Sequence, residues 1–270
     1  MHIASDDLGS KIGFAGIRFL VAGILVTILA IIQKRKFKVE QKSVVAWLLL
    51  FALVNTALHY LFSYVGLGYL PSSRSTILDS MNGFFAIILS CIIFEDDKFS
   101  KFKALGCILG FSGILLINIE PGQNFFQGIS FRGDGMILLN AMCGAFGGII
   151  TRIISKKMDM TVATSLSMTI GGTFLCVVSA IIGPAARWTI TTESIIIMIG
   201  LILISAVCFG VYNQLLAYHP ISKIAIFNAF IPILGVIFSS IILGEPMRVK
   251  YIIAGCIVAL GVYVMNHFSK

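Results

Sequence analysis

Ionisable side chains lie inside long apolar segments of this sequence, where they are costly unless they have a partner or a function. Arg18 lies several residues inside the first apolar segment. A charge at the centre of a membrane helix costs roughly 2.5–3.5 kcal/mol on insertion scales, so it usually faces protein or a water-filled cavity. Arg18 is therefore a candidate contact for an anionic group of a ligand. The alternatives are a structural ion pair and snorkelling to the membrane interface.

Asp79 is the acidic residue that lies well inside an apolar segment. One interpretation is a carboxylate that carries a proton for coupling. The other interpretation, which we favour, is that Asp79 forms a structural ion pair with Arg18 or Arg74. A polar group recurs at the equivalent position of the second half, where Asn228 stands.

Uncharged polar residues form a second group of candidates. Tyr60 and Tyr64 belong to a polar stripe with His59 and Ser63, because residues three and four apart share a helix face. Amides that face lipid would leave polar atoms unsatisfied, so they should face the protein interior. The candidate substrate-binding residues are Arg18, Tyr60, Tyr64, Asp79, Asn140, Asn213 and Asn228.

The composition indicates an all-α membrane protein. Hydrophobic residues make up 58% of the 270, and charged residues only 12%, whereas a soluble domain has about 25% charged residues. The net charge of +8 comes from short basic clusters between apolar segments, which is typical of cytoplasmic loops and argues against nucleic acid binding. The sequence contains no recognisable motif for catalysis or nucleotide binding, so we expect no enzyme, no metal and no cofactor.

Nine segments are long and apolar enough to be membrane helices. An excess of Lys and Arg on one side predicts a plasma-membrane protein with its N-terminus outside and its C-terminus in the cytoplasm. The predicted spans are roughly 12–32, 44–66, 72–94, 104–119, 133–153, 162–183, 194–216, 222–243 and 250–267.

Two stretches of the sequence repeat each other at a nearly constant offset. The first contains Tyr69-Leu70-Pro71 and Gly106-Cys107-Ile108, and the second contains Tyr218-His219-Pro220 and Gly255-Cys256-Ile257. By the charge count, equivalent connectors lie on opposite sides of the membrane. The repeat is therefore predicted to be inverted, with a first half over 1–124 and a second half over 125–270, as in many carriers.

The segment Gly16-Ile17-Arg18-Phe19-Leu20-Val21-Ala22-Gly23 resembles the second helix of EamA-type carriers of the drug/metabolite transporter superfamily. The Tyr-x-Pro, Gly-Glu-Pro and Gly-Cys-Ile segments resemble the ends of each half in that family. The resemblance implies ten helices in a five-plus-five inverted arrangement. This chain departs from that pattern because its first half has four helices, which gives four plus five.

The resemblance implies a carrier that moves small metabolites or amphipathic compounds by alternating access, as an exporter, with a proton or another ion as a coupling partner. The alternative, suggested by the absent first helix, is a transport-inactive protein with a regulatory or structural role. The repeat also places Asn82 near the position that corresponds to Pro232. The kink that Pro232 predicts in the second half is therefore expected to be missing from the first.

Overall fold

The computed structural model describes residues 7–37, 42–94, 100–118, 129–183, 191–219, 224, 230–246 and 248–267. Nine helical segments lie within these ranges, in agreement with the nine predicted spans. In chain order they are α1 Leu8–Ile32, α2 Lys42–Leu67, α3 Ser72–Ile93, α4 Lys101–Asn118, α5 Phe131–Ile154, α6 Met160–Ile182, α7 Thr192–Tyr218, α8 Phe230–Leu243 and α9 Val249–His267.

The helices carry the apolar surface that a lipid environment requires. In the described part of the chain, α1, α2, α3, α5, α6 and α7 are each long and apolar enough to cross a membrane. Large aliphatic side chains on several helices are more than two-thirds exposed, such as Ile92 at 74% and Ile181 at 78%. Soluble monomers rarely expose so much contiguous apolar surface, so these side chains face lipid.

Aspartate side chains cap the N-termini of two helices. The Asp7 carboxylate accepts hydrogen bonds from Ser10 N (2.8 Å) and Ser10 Oγ (2.7 Å) at the start of α1. The Asp159 carboxylate accepts hydrogen bonds from Thr161 N (2.8 Å) and Val162 N (3.3 Å) at the start of α6. Each carboxylate satisfies backbone donors that have no partner within their helix, and its charge complements the helix dipole.

A strained lysine ends α1. Lys34 has a φ of 54°, in the left-handed region that favours glycine. Its N–H donates to Ile31 O (2.9 Å), and the N–H of Arg35 donates to Ala30 O (2.9 Å). This pair of bonds is the Schellman arrangement, in which glycine usually occupies the position of Lys34.

Replacing Lys34 with glycine is expected to raise the free energy of unfolding by about 1 kcal/mol, because the left-handed conformation costs a side chain about that much. Denaturant titration of the detergent-solubilised protein measures this change. Lys34→Ala is the matched control: it also removes the charge but keeps a β-carbon, so it should give no gain. Equal gains for both variants would assign the effect to charge instead.

Helix α3 is interrupted without a proline. Its two parts are Ser72–Asp79 and Met81–Ile93. Between them, Ser80 Oγ donates to Ile77 O (2.5 Å), and such bonds from serine to its own helix bend helices. The backbone of Ser80 keeps helical dihedral angles (φ −61°, ψ −14°), so the expectation that the first half lacks a kink near Asn82 stays a prediction. Helix α2 also departs from α-helical geometry, through a π-helical stretch at Ala52–Leu58.

Two compact units share the chain, and each is built from two segments that are separate in sequence. The first comprises 1–64 and 147–218, and the second comprises 65–146 and 219–270. The core of the first unit includes Phe19 and Phe51, both fully buried. The core of the second includes Phe84, also fully buried, and Val236. The sequence halves 1–124 and 125–270 thus each contribute to both units.

Within the first unit, α1 and α6 run antiparallel in close contact. Gly9 at the start of α1 accepts a hydrogen bond from Ser179 near the end of α6. A β-carbon on Gly16 would lie 3.1 Å from Gly172 O, and one on Gly172 would lie 2.9 Å from Gly16 O. The contact is therefore reciprocal, because each glycine approaches the backbone of the other.

The second unit contains the same kind of contact between α4 and α9. A β-carbon on Gly113 would lie 3.1 Å from Ala254 O, and one on Gly261 would lie 2.8 Å from Gly106 O. Gly113 and Gly261 follow Gly106-Cys107-Ile108 and Gly255-Cys256-Ile257 at nearly the same distance, so they correspond in the predicted repeat. Each of the two glycines approaches the backbone of the opposite helix.

Candidate functional site

Arg18 lies in an aromatic environment within the first unit. Its Nε donates to Ser205 Oγ on α7 at 2.7 Å. The guanidinium carbon lies 5.0 Å from the ring centroid of Phe19 and 6.0 Å from that of Tyr60, within the range of cation–π attraction. Phe209 packs edge-on to Phe19, with 5.6 Å between centroids. We call these five residues the arginine cluster.

The tyrosines predicted on α2 belong to the same region. The ring of Tyr60 lies 4.0 Å from that of Phe19 and 4.9 Å from that of His59, measured between centroids. Tyr64, one turn further along α2, packs with Tyr60 against the apolar core around Phe19. The structure thus brings together three predicted site residues, Arg18, Tyr60 and Tyr64.

A layer of buried amide and hydroxyl groups continues along α6 and α7. Asn213, which is 1% exposed, donates from Nδ2 to Thr164 Oγ1 at 3.1 Å. One residue further, Gln214 Nε2 donates to Thr161 Oγ1 at 2.8 Å. The predicted orientation of Asn213 towards protein is correct, and its donor joins two helices of one unit.

Asp79 lies where α3 is interrupted in the second unit. Its Oδ1 accepts a hydrogen bond from Asn140 Nδ2 on α5 at 2.5 Å, and Asn140 is 2% exposed. These two predicted site residues are therefore in direct contact. Discontinuous helices commonly present polar groups to substrates or coupling ions in carriers.

Arg74, one of the two arginines that we predicted as an ion-pair partner of Asp79, pairs with a different carboxylate. Arg74 pairs with Asp134, through Nε–Oδ1 at 2.8 Å and Nη2–Oδ1 at 2.6 Å. Both side chains are largely buried, with exposures of 15% and 4%. The other carboxylate oxygen of Asp134 accepts the N–H of Ser130 at 2.9 Å. Arg74 is one helical turn closer than Asp79 to the start of α3, which places it beside the first turn of α5.

Glu245 caps the start of α3 from the connector after α8. Its carboxylate accepts hydrogen bonds from Ser72 N (2.7 Å), Ser73 N (3.1 Å), Ser73 Oγ (2.8 Å) and Ser239 Oγ (2.6 Å). Gly244, with a φ of +66°, turns the chain back at this point. Burial alone would raise the pKa of Glu245, but these hydrogen bonds outweigh it and hold the pKa below its usual value.

The Glu245→Gln variant is expected to lose about 1 kcal/mol of unfolding free energy at pH 7, because it removes a charged cap. A carboxylate with a lowered folded pKa stabilises the protein above its unfolded pKa, about 4.3, and this contribution vanishes as pH falls through the folded pKa. The difference between wild type and variant should therefore shrink below about pH 4.3. A constant difference across parallel denaturant titrations at pH 7, 5 and 3.5 would contradict this interpretation.

Several polar contacts were not predicted from the sequence. Ser205 is the hydrogen-bond partner of Arg18, Thr164 is that of Asn213, and Thr56 shares a hydrogen bond with Ser167 at 3.0 Å. Their only sequence signal is a hydroxyl within an apolar segment, which is common in packed membrane helices. Asn228 lies outside the described residues. Among the residues that the structure describes, no three His, Cys, Asp or Glu side chains are grouped as a metal site would require.

Comparison with known proteins decides the family. The model of the EamA-like transporter family matches residues 1–119 and 131–267. The chain belongs to the EamA-like transporter family. It is thus a multi-pass membrane transporter, and the transporter relatives are consistent with the expectation that it is not an enzyme.

Relatives of this EamA-like chain come from distant organisms. The uncharacterized transporter YvbV of Bacillus subtilis is 27% identical, over 95% of this chain and 83% of its own. A chloroplastic WAT1-related protein of Arabidopsis thaliana is 25% identical, over 93% of this chain and 62% of its own. A crystal structure superposes with a TM-score of 0.73 at 10% identity, covering 96% of this chain and 89% of the other. This last likeness shows the fold alone.

Proposed function

We propose that this EamA-like transporter is a carrier that exports small, anionic or amphipathic metabolites by alternating access. The observation that carries the proposal is the environment of Arg18. A guanidinium has five N–H donors, and one of them is used by Ser205. No carboxylate of the described residues forms an ion pair with it. An arginine held among aromatic rings in this way is suited to bind a carboxylate or phosphate through its remaining donors.

The aromatic members of the arginine cluster suit an amphipathic ligand. Tyr60 and Phe209 lie 5.9 Å apart between ring centroids, and both pack with Phe19, which is fully buried. Binding sites for small molecules combine such aromatic walls with a few polar groups that fix orientation. Tyr64 and Asn213 of the same unit complete the proposed substrate contacts beside Arg18 and Tyr60.

Asp79 is the proposed coupling residue, with Asn140 as its hydrogen-bond donor. An ionisable group in a membrane helix usually serves transport or a proton pathway. Its position at the interruption of α3 supports this role, because among the described residues the carboxylate is held by an amide and not by a cation. A proton or another small cation would bind where that charge is left uncompensated.

The reciprocal glycine contacts support the inverted repeat on which alternating access depends in many carriers. In the α4–α9 pair, Gly113 and Gly261 exchange equivalent contacts, as two helices do when a two-fold axis relates them. The α1–α6 pair has the same reciprocity through Gly16 and Gly172. Antiparallel partners related in this way are what a duplicated and inverted unit produces.

Metabolite export by whole cells tests the proposal. The compound that the wild type enriches in the medium is the substrate. A host that expresses the wild-type chain is compared with one that expresses Asp79→Asn at an equal membrane level, by mass spectrometry of the medium. The wild type should enrich at least one small anionic compound in the medium, and the variant should not. Identical media from wild type, variant and empty host would contradict export.

A further inference from the structure

A basic cavity of about 740 Å³ lies in the first unit, where α1 and α7 end and α6 begins. It is separate from the arginine cluster, and none of the proposed transport residues lines it. Its walls carry four basic side chains, Lys34, Arg35, Lys36 and Lys157. Among the described residues of the lining, Asp159 is the one acid.

The single carboxylate does not balance these cations. Asp159 is already used as the cap of α6, and it lies 3.4 Å from Arg35. Lys157 stacks over the ring of Trp47 at 5.7 Å. Lys34 and Lys36 form no ion pair with any residue that the structure describes. The cavity therefore has room for an anion and an excess of positive charge to hold it.

The backbone directs these cations into one place. The left-handed turn at Lys34 ends α1 abruptly and folds the chain back, so that Arg35 reaches the start of α6. A lysine at a position that favours glycine costs stability. The sequence thus keeps a cation in the wall of the cavity where a glycine would make the same turn more easily.

The surroundings of the cavity match the boundary between lipid tails and headgroups. Tyr218 lines the cavity and is 79% exposed, and Trp47 adjoins it through Lys157. Such aromatic residues are typical of the membrane interface. Ile31 and Ile32, exposed by 61% and 70%, precede the basic residues with only Gln33 between them. A ligand here would meet cations at one end and aliphatic surface at the other.

We propose that this cavity binds the phosphate-bearing headgroup of an anionic phospholipid, with its acyl chains along the exposed aliphatic end of α1. Basic clusters beside membrane helices attract anionic lipids in this way, and the charge count predicts that this end of α1 lies in the cytoplasmic leaflet. The aliphatic surface next to the cavity favours a lipid over a free phosphate ion, because a phosphate ion has no apolar part to pack against it.

Native mass spectrometry of the detergent-solubilised full chain tests the proposal, with phosphatidylglycerol, phosphatidylcholine and inorganic phosphate as probes. The wild type should retain phosphatidylglycerol in preference to phosphatidylcholine. In a Lys34→Gln, Lys36→Gln, Lys157→Gln triple variant, the preference should fall about a hundredfold, at about fivefold for each cation removed. The matched control removes three cations elsewhere, by Lys101→Gln, Arg132→Gln and Lys250→Gln, and should keep the preference.

The single variant Lys34→Gly guards against misfolding, because it removes a charge while easing the turn. It should weaken the preference about fivefold in a fully folded protein. Absence of any preference in the wild type would overturn the proposal, as would an equal loss in both triple variants. Release of the lipid by millimolar inorganic phosphate would overturn the lipid assignment and leave a phosphate site.

Discussion

Arg18→Ala is expected to lower transport by about 10- to 100-fold while the protein remains folded. Loss of a charge-assisted hydrogen bond to a bound anion corresponds to about 1.5–3 kcal/mol. The measurement is export of the compound found in the medium comparison, at matched membrane levels of each variant. Thermal unfolding in detergent, followed in parallel, separates loss of function from loss of structure.

Two further variants assign the effect to the guanidinium. Arg18→Lys keeps the charge but loses the planar fork of donors, so we expect partial activity. Ser205→Ala removes the partner of Arg18 while leaving its charge, and Ser205 is also tied to its own helix through Leu201 O. That variant should reduce transport less than Arg18→Ala does. If Arg18→Ala instead unfolds the protein, Arg18 is a structural residue and the proposed substrate contact is wrong.

Asp134→Ala is expected to cost about 3–5 kcal/mol of unfolding free energy, the largest stability effect that we predict. Removing one partner of a buried ion pair leaves the other charge uncompensated. Here the residue left behind is Arg74, which is only 15% exposed, and the N–H of Ser130 also loses its acceptor. Denaturant titration of the solubilised protein measures the change.

The double variant Arg74→Met, Asp134→Leu is the informative control. Replacing both partners of a buried pair with apolar residues of similar size is often neutral, so this variant should recover most of the loss. A double-mutant cycle with the two single variants gives the coupling energy. A cost below about 1 kcal/mol for Asp134→Ala would show that the pair behaves as an exposed surface ion pair.

The number and approximate positions of the helices were predictable because each depends on a local run of apolar residues. The family was predictable for a similar reason, since its motifs are short and recur in order along the chain. The inward orientation of Arg18 and Asn213 also follows from one physical rule, the cost of exposing polar groups to lipid.

The partners of these groups were not predictable. The sequence analysis considered Asp79 as a partner of Arg74, whereas the observed pairing of Arg74 with Asp134 depends on how α3 and α5 are aligned along their axes. That alignment is set by packing between helices distant in sequence, which leaves no local pattern. The interruption of α3 at Ser80 was not predicted for another reason: a serine bends a helix only in some settings, whereas a proline almost always does.

The pairing of α4 with α9 has a consequence for biosynthesis. Helix α4 ends at Asn118, but α9 begins only at Val249, so at translation rates of about 5–20 residues per second α9 leaves the ribosome on the order of 10 s after α4. During that interval the small-residue face at Gly113 has no α9 to pack against. The segments of the first unit have all been made once Tyr218 is added. The two units therefore cannot mature together, and the second unit is the one exposed to premature contacts in the membrane.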